Sequence, residues 1–170
     1  MMLNRKLALI AILFSGSALS ASEVTVNING NISSNTCEVD TASSKLTVQM
    51  GMIATNTFSQ TGAASPSVPF DIKLVDCGAD ASSVSVTFTG TGDSTNGDLV
   101  AVASGGATGL GIALYDYQGK QIAVNKASNA VTLNANADNT LNFSAAYVST
   151  APNVTAGAAD GSATFSLTYE

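Results

Sequence analysis

The two cysteines, Cys37 and Cys77, have the clearest chemistry of any residues in this 170-residue chain. An even number of cysteines behind an export signal, described below, is typical of an intramolecular disulfide formed in an oxidising compartment. A pair of buried free thiols is the alternative. A zinc site is disfavoured because two cysteines without any histidine supply only half of the ligands that a structural zinc ion needs. We therefore predict a disulfide between Cys37 and Cys77.

Groups able to support catalysis are sparse in the sequence. The chain has no histidine, and its twelve carboxylates are scattered singly, so no obvious set of residues forms a general base, an activated nucleophile or a metal cluster. A carboxylate-pair hydrolase remains an alternative. Tyr115 and Tyr117 flank Asp116, and an exposed tyrosine there could contact a carbohydrate, although Asp116 is more typical of a strand-end turn. We predict no enzymatic activity, no metal and no cofactor.

Residues 1–21 have the pattern of a secretory signal peptide. Arg5 and Lys6 precede an apolar run at residues 7–14, and small residues dominate positions 15–21. Cleavage is expected after Ser20 or Ala21. The apolar run is too short to cross a bilayer, which disfavours a retained membrane anchor.

Removal of this signal leaves an acidic chain. The remaining chain has four lysines, no arginine and twelve carboxylates, so its formal net charge is −8. Such a surface cannot neutralise a phosphate backbone, and nucleic-acid binding is therefore excluded from the expected functions.

Apolar and polar residues alternate with a period of two through most of the remaining chain, which is typical of strands with one buried face. Strands are predicted at Lys45–Met50, Phe70–Val75, Val84–Phe88, Leu110–Tyr115, Val131–Leu133, Leu141–Val148 and Ala163–Tyr169. Connections rich in glycine, asparagine and serine separate them. The pattern predicts a single all-β domain at residues 37–170, folded as an immunoglobulin-like antiparallel sandwich.

One further strand-forming segment, residues 22–36, precedes the first cysteine. Its apolar phase consists of Val24, Val26, Ile28, Gly30 and Ile32. Phe165, Leu167 and Tyr169 share one face of the last predicted strand, and no later residue is available to cover that strand's edge. Two accounts remain open at this point: residues 22–36 are the first strand of their own sandwich, or they leave it and complete the sandwich of a neighbouring subunit.

These features resemble the structural pilins of the chaperone–usher pathway, in particular type 1 fimbrial subunits, over essentially the whole chain after the signal. Residues 24–32, with a glycine in the apolar phase, are similar to the family's N-terminal donor extension, and residues 68–77 resemble the strand that leads to its second cysteine. The C-terminal pattern is the most specific, with a glycine fourteenth from the end and a tyrosine next to last. The residues that carry this C-terminal resemblance are Gly157, Ala163, Phe165, Leu167, Tyr169 and Glu170.

The resemblance implies an incomplete immunoglobulin-like sandwich that is completed by donor-strand exchange. A periplasmic chaperone would lend a strand and hold the carboxylate of Glu170, and an outer-membrane usher would exchange that strand for residues 22–36 of another subunit. Gly30 would allow close backbone approach. The apolar anchors of the donor segment would be Val24, Val26, Ile28 and Ile32.

The expected product is a head-to-tail polymer of pilin subunits, a fimbria at the bacterial surface that supports cell adhesion. A minor tip adaptor, or an adhesin-like subunit that binds glycans, is the alternative role. A self-contained periplasmic protein or an enzyme is the competing class.

Overall fold

The computed structural model describes residues 35–170, so the predicted signal at 1–21 and most of the predicted donor segment at 22–36 lie outside the described residues. The described part contains nine β-strands, one short 3-10 helix and no α-helix, and none of its elements is a helix able to cross a membrane. The elements in chain order are β1 (Glu38–Val39), the 3-10 helix (Thr55–Thr57), β2 (Val68–Val75), β3 (Ser83–Gly90), β4 (Val100–Ala101), β5 (Leu110–Tyr115), β6 (Gln121–Ile122), β7 (Val131–Thr132), β8 (Asn139–Ser149) and β9 (Ala163–Tyr169).

The strands form two antiparallel sheets. The larger has the order β1-β2-β8-β5-β4, with β6 also paired to β5, and the smaller has the order β7-β3-β9. Apolar residues from both sheets form a single main core, as expected when each sheet has one apolar face. This arrangement confirms the predicted all-β antiparallel fold.

Alternation along the strands determines which residues enter this core. In β2, Ile72 and Leu74 are fully buried while Asp71 and Lys73 are exposed. The two sheets meet at three phenylalanine rings. The ring of Phe88 on β3 makes edge-on contacts with those of Phe70 on β2 and Phe143 on β8, with centroids 6.1 and 5.2 Å apart. These contacts stabilise the packing of one sheet on the other.

A second, smaller apolar cluster lies at one end of the larger sheet. Phe58, Ala107, Leu110 and Tyr147 are its buried members, and Met50 and Ala159 pack against it. Met50 also packs against the main core, so this methionine connects the two clusters.

The predicted strand at Lys45–Met50 is wrong for the described structure. The segment leaves a turn at 41–45 and continues without any strand assignment. The side chains of this segment do alternate, since Val48 and Met50 pack on the core. A β-strand also needs a hydrogen-bonding partner for its backbone, and residues 35–170 supply none. The predictions for β5 and β9 match their observed bounds. The two-residue strands β1, β4 and β6 were not predicted, whereas β7, of the same length, lies within the predicted strand at Val131–Leu133.

Candidate functional site: an open cleft beside the last strand

Strand β9 is an edge strand in the described structure, where β3 is its single neighbour. The N–H of Glu170 donates a hydrogen bond to the carbonyl of Ser83 at 3.1 Å, and antiparallel pairing alternates along the strand. The peptide groups at even positions of β9 therefore face β3. Those at odd positions face away from it, toward the unpaired edge. These odd positions are Ala163, Phe165, Leu167 and Tyr169.

The side chains at the same odd positions point toward the core but are not enclosed by it. Phe165, Leu167 and Tyr169 pack against the core and are only partly buried. Their register partners on β3 are buried almost completely, with exposures of 5% for Phe88 and 0% for both Val86 and Val84. The core is therefore closed at β3 and open at β9.

The opening is a cleft of about 1020 Å³ between two rims. One rim is the beginning of β9 with the residues just before it, 159–165. The other is residues 44–51, which we call the rim segment. The floor of the cleft is apolar apart from the tyrosine hydroxyl, and consists of Phe70, Phe88, Val100, Ile112, Leu114, Ala145 and Tyr147. A cleft with an apolar floor and an unpaired strand edge suits an extended peptide with apolar side chains at every second position.

The two rims run in opposite directions. At one end, the chain around Cys37 lies beside the end of β9, because the Tyr169 hydroxyl donates a hydrogen bond to the Cys37 carbonyl at 3.0 Å. At the other end, Met50 and Ala159, which precedes β9, pack against the same small cluster. The rim segment thus proceeds from the end of β9 toward its beginning.

Residues 157–161 close the cleft at the beginning of β9. Main-chain hydrogen bonds of 2.7 Å join the N–H of Ala103 to the carbonyl of Asp160 and the N–H of Ala107 to that of Ala158. Gly157 permits this close approach, since a Cβ at that position would lie 2.5 Å from the nitrogen of Ala107. Gly157 therefore lies outside β9, in the loop that anchors the beginning of the strand.

Tyr147 and Asp160 line the same end of the cleft. The Tyr147 hydroxyl donates a hydrogen bond to the Ala159 carbonyl at 2.9 Å. Burial raises the pKa of Tyr147 above its ordinary value of 10.0, and the Asp160 carboxylate raises it further. Tyr147 is therefore neutral at neutral pH, and its hydrogen bond to Ala159 helps to hold the loop at residues 157–161 in place.

The predicted disulfide between Cys37 and Cys77 is confirmed. It lies where the chain enters the sandwich, and the N–H of Gly78 donates a hydrogen bond to the carbonyl of Thr36 at 2.9 Å beside it. The disulfide therefore fastens the beginning of the described chain to the end of β2.

The described residues hold no group of three or more histidine, cysteine or carboxylate side chains that could bind a metal ion. Asp116 is a turn residue: its Oδ1 accepts hydrogen bonds of 2.9 Å from the N–H groups of Gln118 and Lys120. Tyr117 is exposed and Tyr115 is partly buried, and neither ring lines the cleft beside β9.

The structure brings together the predicted β9 residues but cannot place the predicted donor residues, which lie outside 35–170. Sequence reasoning missed the cleft floor and the second rim. Ile112 and Tyr147 belong to strands that were predicted, yet nothing in their local pattern indicates that they face a cleft instead of an enclosed core.

Comparison with known proteins agrees with this architecture. Residues 26–170 match the family model for fimbrial protein. Long polar fimbria protein A of Salmonella typhimurium is 36% identical over 166 residues, covering 96% of this chain and 93% of that protein. The type-1 fimbrial protein A chain of Escherichia coli is 39% identical over 153 residues, covering 86% of this chain and 82% of its own length.

Among solved structures, a subunit of a chaperone–usher pilus superposes with a TM-score of 0.67 at 26% identity, covering 91% of this chain and 100% of that one. The similarity supports the immunoglobulin-like form of the sandwich. These relatives are fimbrial structural subunits, a non-enzymatic family whose members are assembled into surface fimbriae. The chain therefore belongs to the fimbrial protein family, as a structural subunit of a chaperone–usher pilus.

Proposed function

We propose that the cleft beside β9 receives residues 22–36 of another subunit, and that this donor-strand exchange joins subunits head to tail into a fimbria. The observation that carries the proposal is the unpaired edge of β9 above an apolar floor. A strand placed there would pair with the peptide groups of Phe165, Leu167 and Tyr169 and would cover their half-buried side chains.

The dimensions of the segment fit those of the cleft. Strand β9 has seven residues, which corresponds to about 23 Å of extended chain, and the apolar phase from Val24 to Ile32 spans nine residues, or about 30 Å. The apolar side chains of that phase would lie on the floor. Each buried aliphatic anchor contributes about 1.5–3 kcal/mol.

The rim segment supports the same reading. Val48 and Met50 point toward the core with strand-like alternation, but the segment has no strand assignment. A donor strand between the rim segment and β9 would offer backbone partners on both sides.

Two partners follow from the family resemblance and from the exposed edge. An unpaired edge over an apolar cleft promotes aggregation, so the subunit needs a substitute strand before assembly. A periplasmic chaperone would supply it and hold Glu170. An outer-membrane usher would catalyse its replacement, and the resulting fimbria would support adhesion.

The experiment uses the mature chain without residues 22–36, kept folded by its chaperone, together with a synthetic peptide of residues 22–36. We expect the peptide to displace the chaperone and the truncated chain to form no polymers. Replacing Ile28 with Asp in the peptide would place a charge on the apolar floor and should weaken binding by at least about 100-fold.

Asn27→Asp is the matched control, because it adds the same charge on the opposite face and should change the affinity by less than about threefold. Normal polymerisation of the truncated chain, or equal losses for the two peptides, would contradict the proposal.

A further inference from the structure

The cleft carries one charge of each sign. Among the described residues that line it, Lys45 and Asp160 have the only ionised side chains. Lys45 is exposed and forms no hydrogen bond or ion pair within residues 35–170. An electrostatic difference between the two ends of a groove can distinguish the two directions in which a strand could enter it.

Lys45 lies at the end of the cleft where β9 finishes. The turn before it is fixed by Ser43, whose Oγ accepts a hydrogen bond of 2.9 Å from the N–H of Lys73. The next residue of β2, Leu74, is the register partner of Val39, close to Cys37 and hence to the Tyr169 hydroxyl.

Asp160 lies at the opposite end. It precedes β9, its carbonyl is bound by the N–H of Ala103, and its carboxylate acts on the Tyr147 hydroxyl. The two charged side chains are thus separated by most of the length of the cleft.

The proposed donor segment carries its charges at one end, where the α-amino group left by the expected signal cleavage lies close to Glu23, and N-acetylation of the test peptides removes that group's charge. Within residues 22–36 the only charged side chain is Glu23, immediately before the first apolar anchor, Val24. A donor strand antiparallel to β9 would place Glu23 at the Lys45 end. A parallel strand would place it at the Asp160 end, where two carboxylates would repel each other.

We infer that Glu23 of the donor subunit pairs with Lys45 of the receiving subunit, and that Lys45 and Asp160 together favour antiparallel entry of the strand. This inference rests on the proposed donor-strand exchange. Antiparallel entry also agrees with every other strand pair in the two sheets.

Other charges near the Lys45 end do not replace this pair. Asp40 does not line the cleft, and its Oδ1 accepts a hydrogen bond of 2.9 Å from the N–H of Ala42. Glu170 follows β9 on the outward-facing phase, two positions after the exposed Thr168. Glu38 and Lys73 are exposed and do not line the cleft.

The test is a double-mutant cycle with N-acetylated peptides of residues 22–36 and the truncated, chaperone-held subunit. Lys45→Glu should raise the dissociation rate of the natural peptide about two- to fivefold, the range of an exposed ion pair. A Glu23→Lys peptide should reverse that loss on the Lys45→Glu subunit. Both effects should shrink at high salt.

Lys126→Glu is the matched control, since it makes the same change in net charge at an exposed lysine that does not line the cleft. It should leave the dissociation rate unchanged. Equal effects of Lys45→Glu and Lys126→Glu would overturn the inference, as would a response to Asp160→Lys in place of Lys45→Glu, which would indicate parallel entry.

Carbodiimide coupling gives a direct readout of direction. The expected product is an amide between the Glu23 carboxyl group and the Lys45 amine, detected by mass spectrometry after digestion. Coupling of Glu23 to any other lysine would overturn the inference. Failure of the natural peptide to bind at all would instead contradict the proposed function, so the two failures are distinguishable.

Discussion

The Tyr169 hydroxyl and the Cys37 carbonyl are joined by a hydrogen bond of 3.0 Å across 132 positions of sequence. This contact ties the end of β9 to the disulfide, at the point where the chain enters the sandwich. One residue thus connects the unpaired strand edge to the origin of the segment that is proposed to leave the domain. The contact also fixes the position of that end of the cleft.

Replacing Tyr169 with Phe removes this hydrogen bond and keeps the ring. We expect the free energy of unfolding, measured with saturating donor peptide, to fall by about 0.5–1.5 kcal/mol. Tyr117→Phe is the control, because Tyr117 is 57% exposed and its hydroxyl accepts a hydrogen bond only from the exposed Gln118 side chain. Its effect should stay within about 0.5 kcal/mol. Equal losses for the two variants would show that the contact with Cys37 has no special role.

Loss of the disulfide should have a larger effect. The bond closes a loop with a sequence separation of 40, and the loop-entropy relation gives roughly 4 kcal/mol of stabilisation for that length. A variant with Ala at both Cys37 and Cys77 should lose about this amount in denaturant unfolding. The reduced natural chain should lose a similar amount, and a loss below about 1 kcal/mol in both would contradict the entropic argument.

Gly157→Ala should disturb the loop that closes the cleft. The added Cβ would lie 2.5 Å from the Ala107 nitrogen, so the backbone must shift, at a cost of about 1–3 kcal/mol. Gly97→Ala is the matched control, because a Cβ added there would have no atom within 4 Å and the residue has no positive φ. Thermal unfolding of both variants measures the difference, and equal melting temperatures would contradict the packing role of Gly157.

The raised pKa of Tyr147 predicts that the free energy of unfolding depends on pH above pH 10.0. Its pKa is raised in the folded chain, so above pH 10.0 the unfolded chain releases the phenolic proton first and stability falls as the pH rises through the folded pKa. Tyr147→Phe should cost about 0.5–1.5 kcal/mol at neutral pH through loss of the hydrogen bond to Ala159. That deficit should narrow above pH 10.0. A constant deficit in urea titrations across this range would contradict the raised pKa.

The sequence by itself determined the longer strands, the faces that most of them bury and the cysteine pair. Alternation with a period of two is a local property, so Ala163–Tyr169 could be assigned to its observed bounds, and the apolar run Leu110–Tyr115 was likewise recognised from local sequence. The apolar phase of Phe165, Leu167 and Tyr169 was visible for the same reason. The disulfide followed from the number of cysteines and the export signal.

Tertiary structure alone decided where the core stays open. Pairing is a relation between distant segments, so the sequence could not show that β9 has β3 on one side and no described strand on the other. It also could not show that the alternating residues 45–50 remain without a strand assignment, because alternation records which side chains face the core and not which peptide groups find partners. Lys45 and Asp160 lie at opposite ends of the cleft because its two rims run in opposite directions. These rims are more than a hundred residues apart in sequence, so only folding brings them to the same cleft.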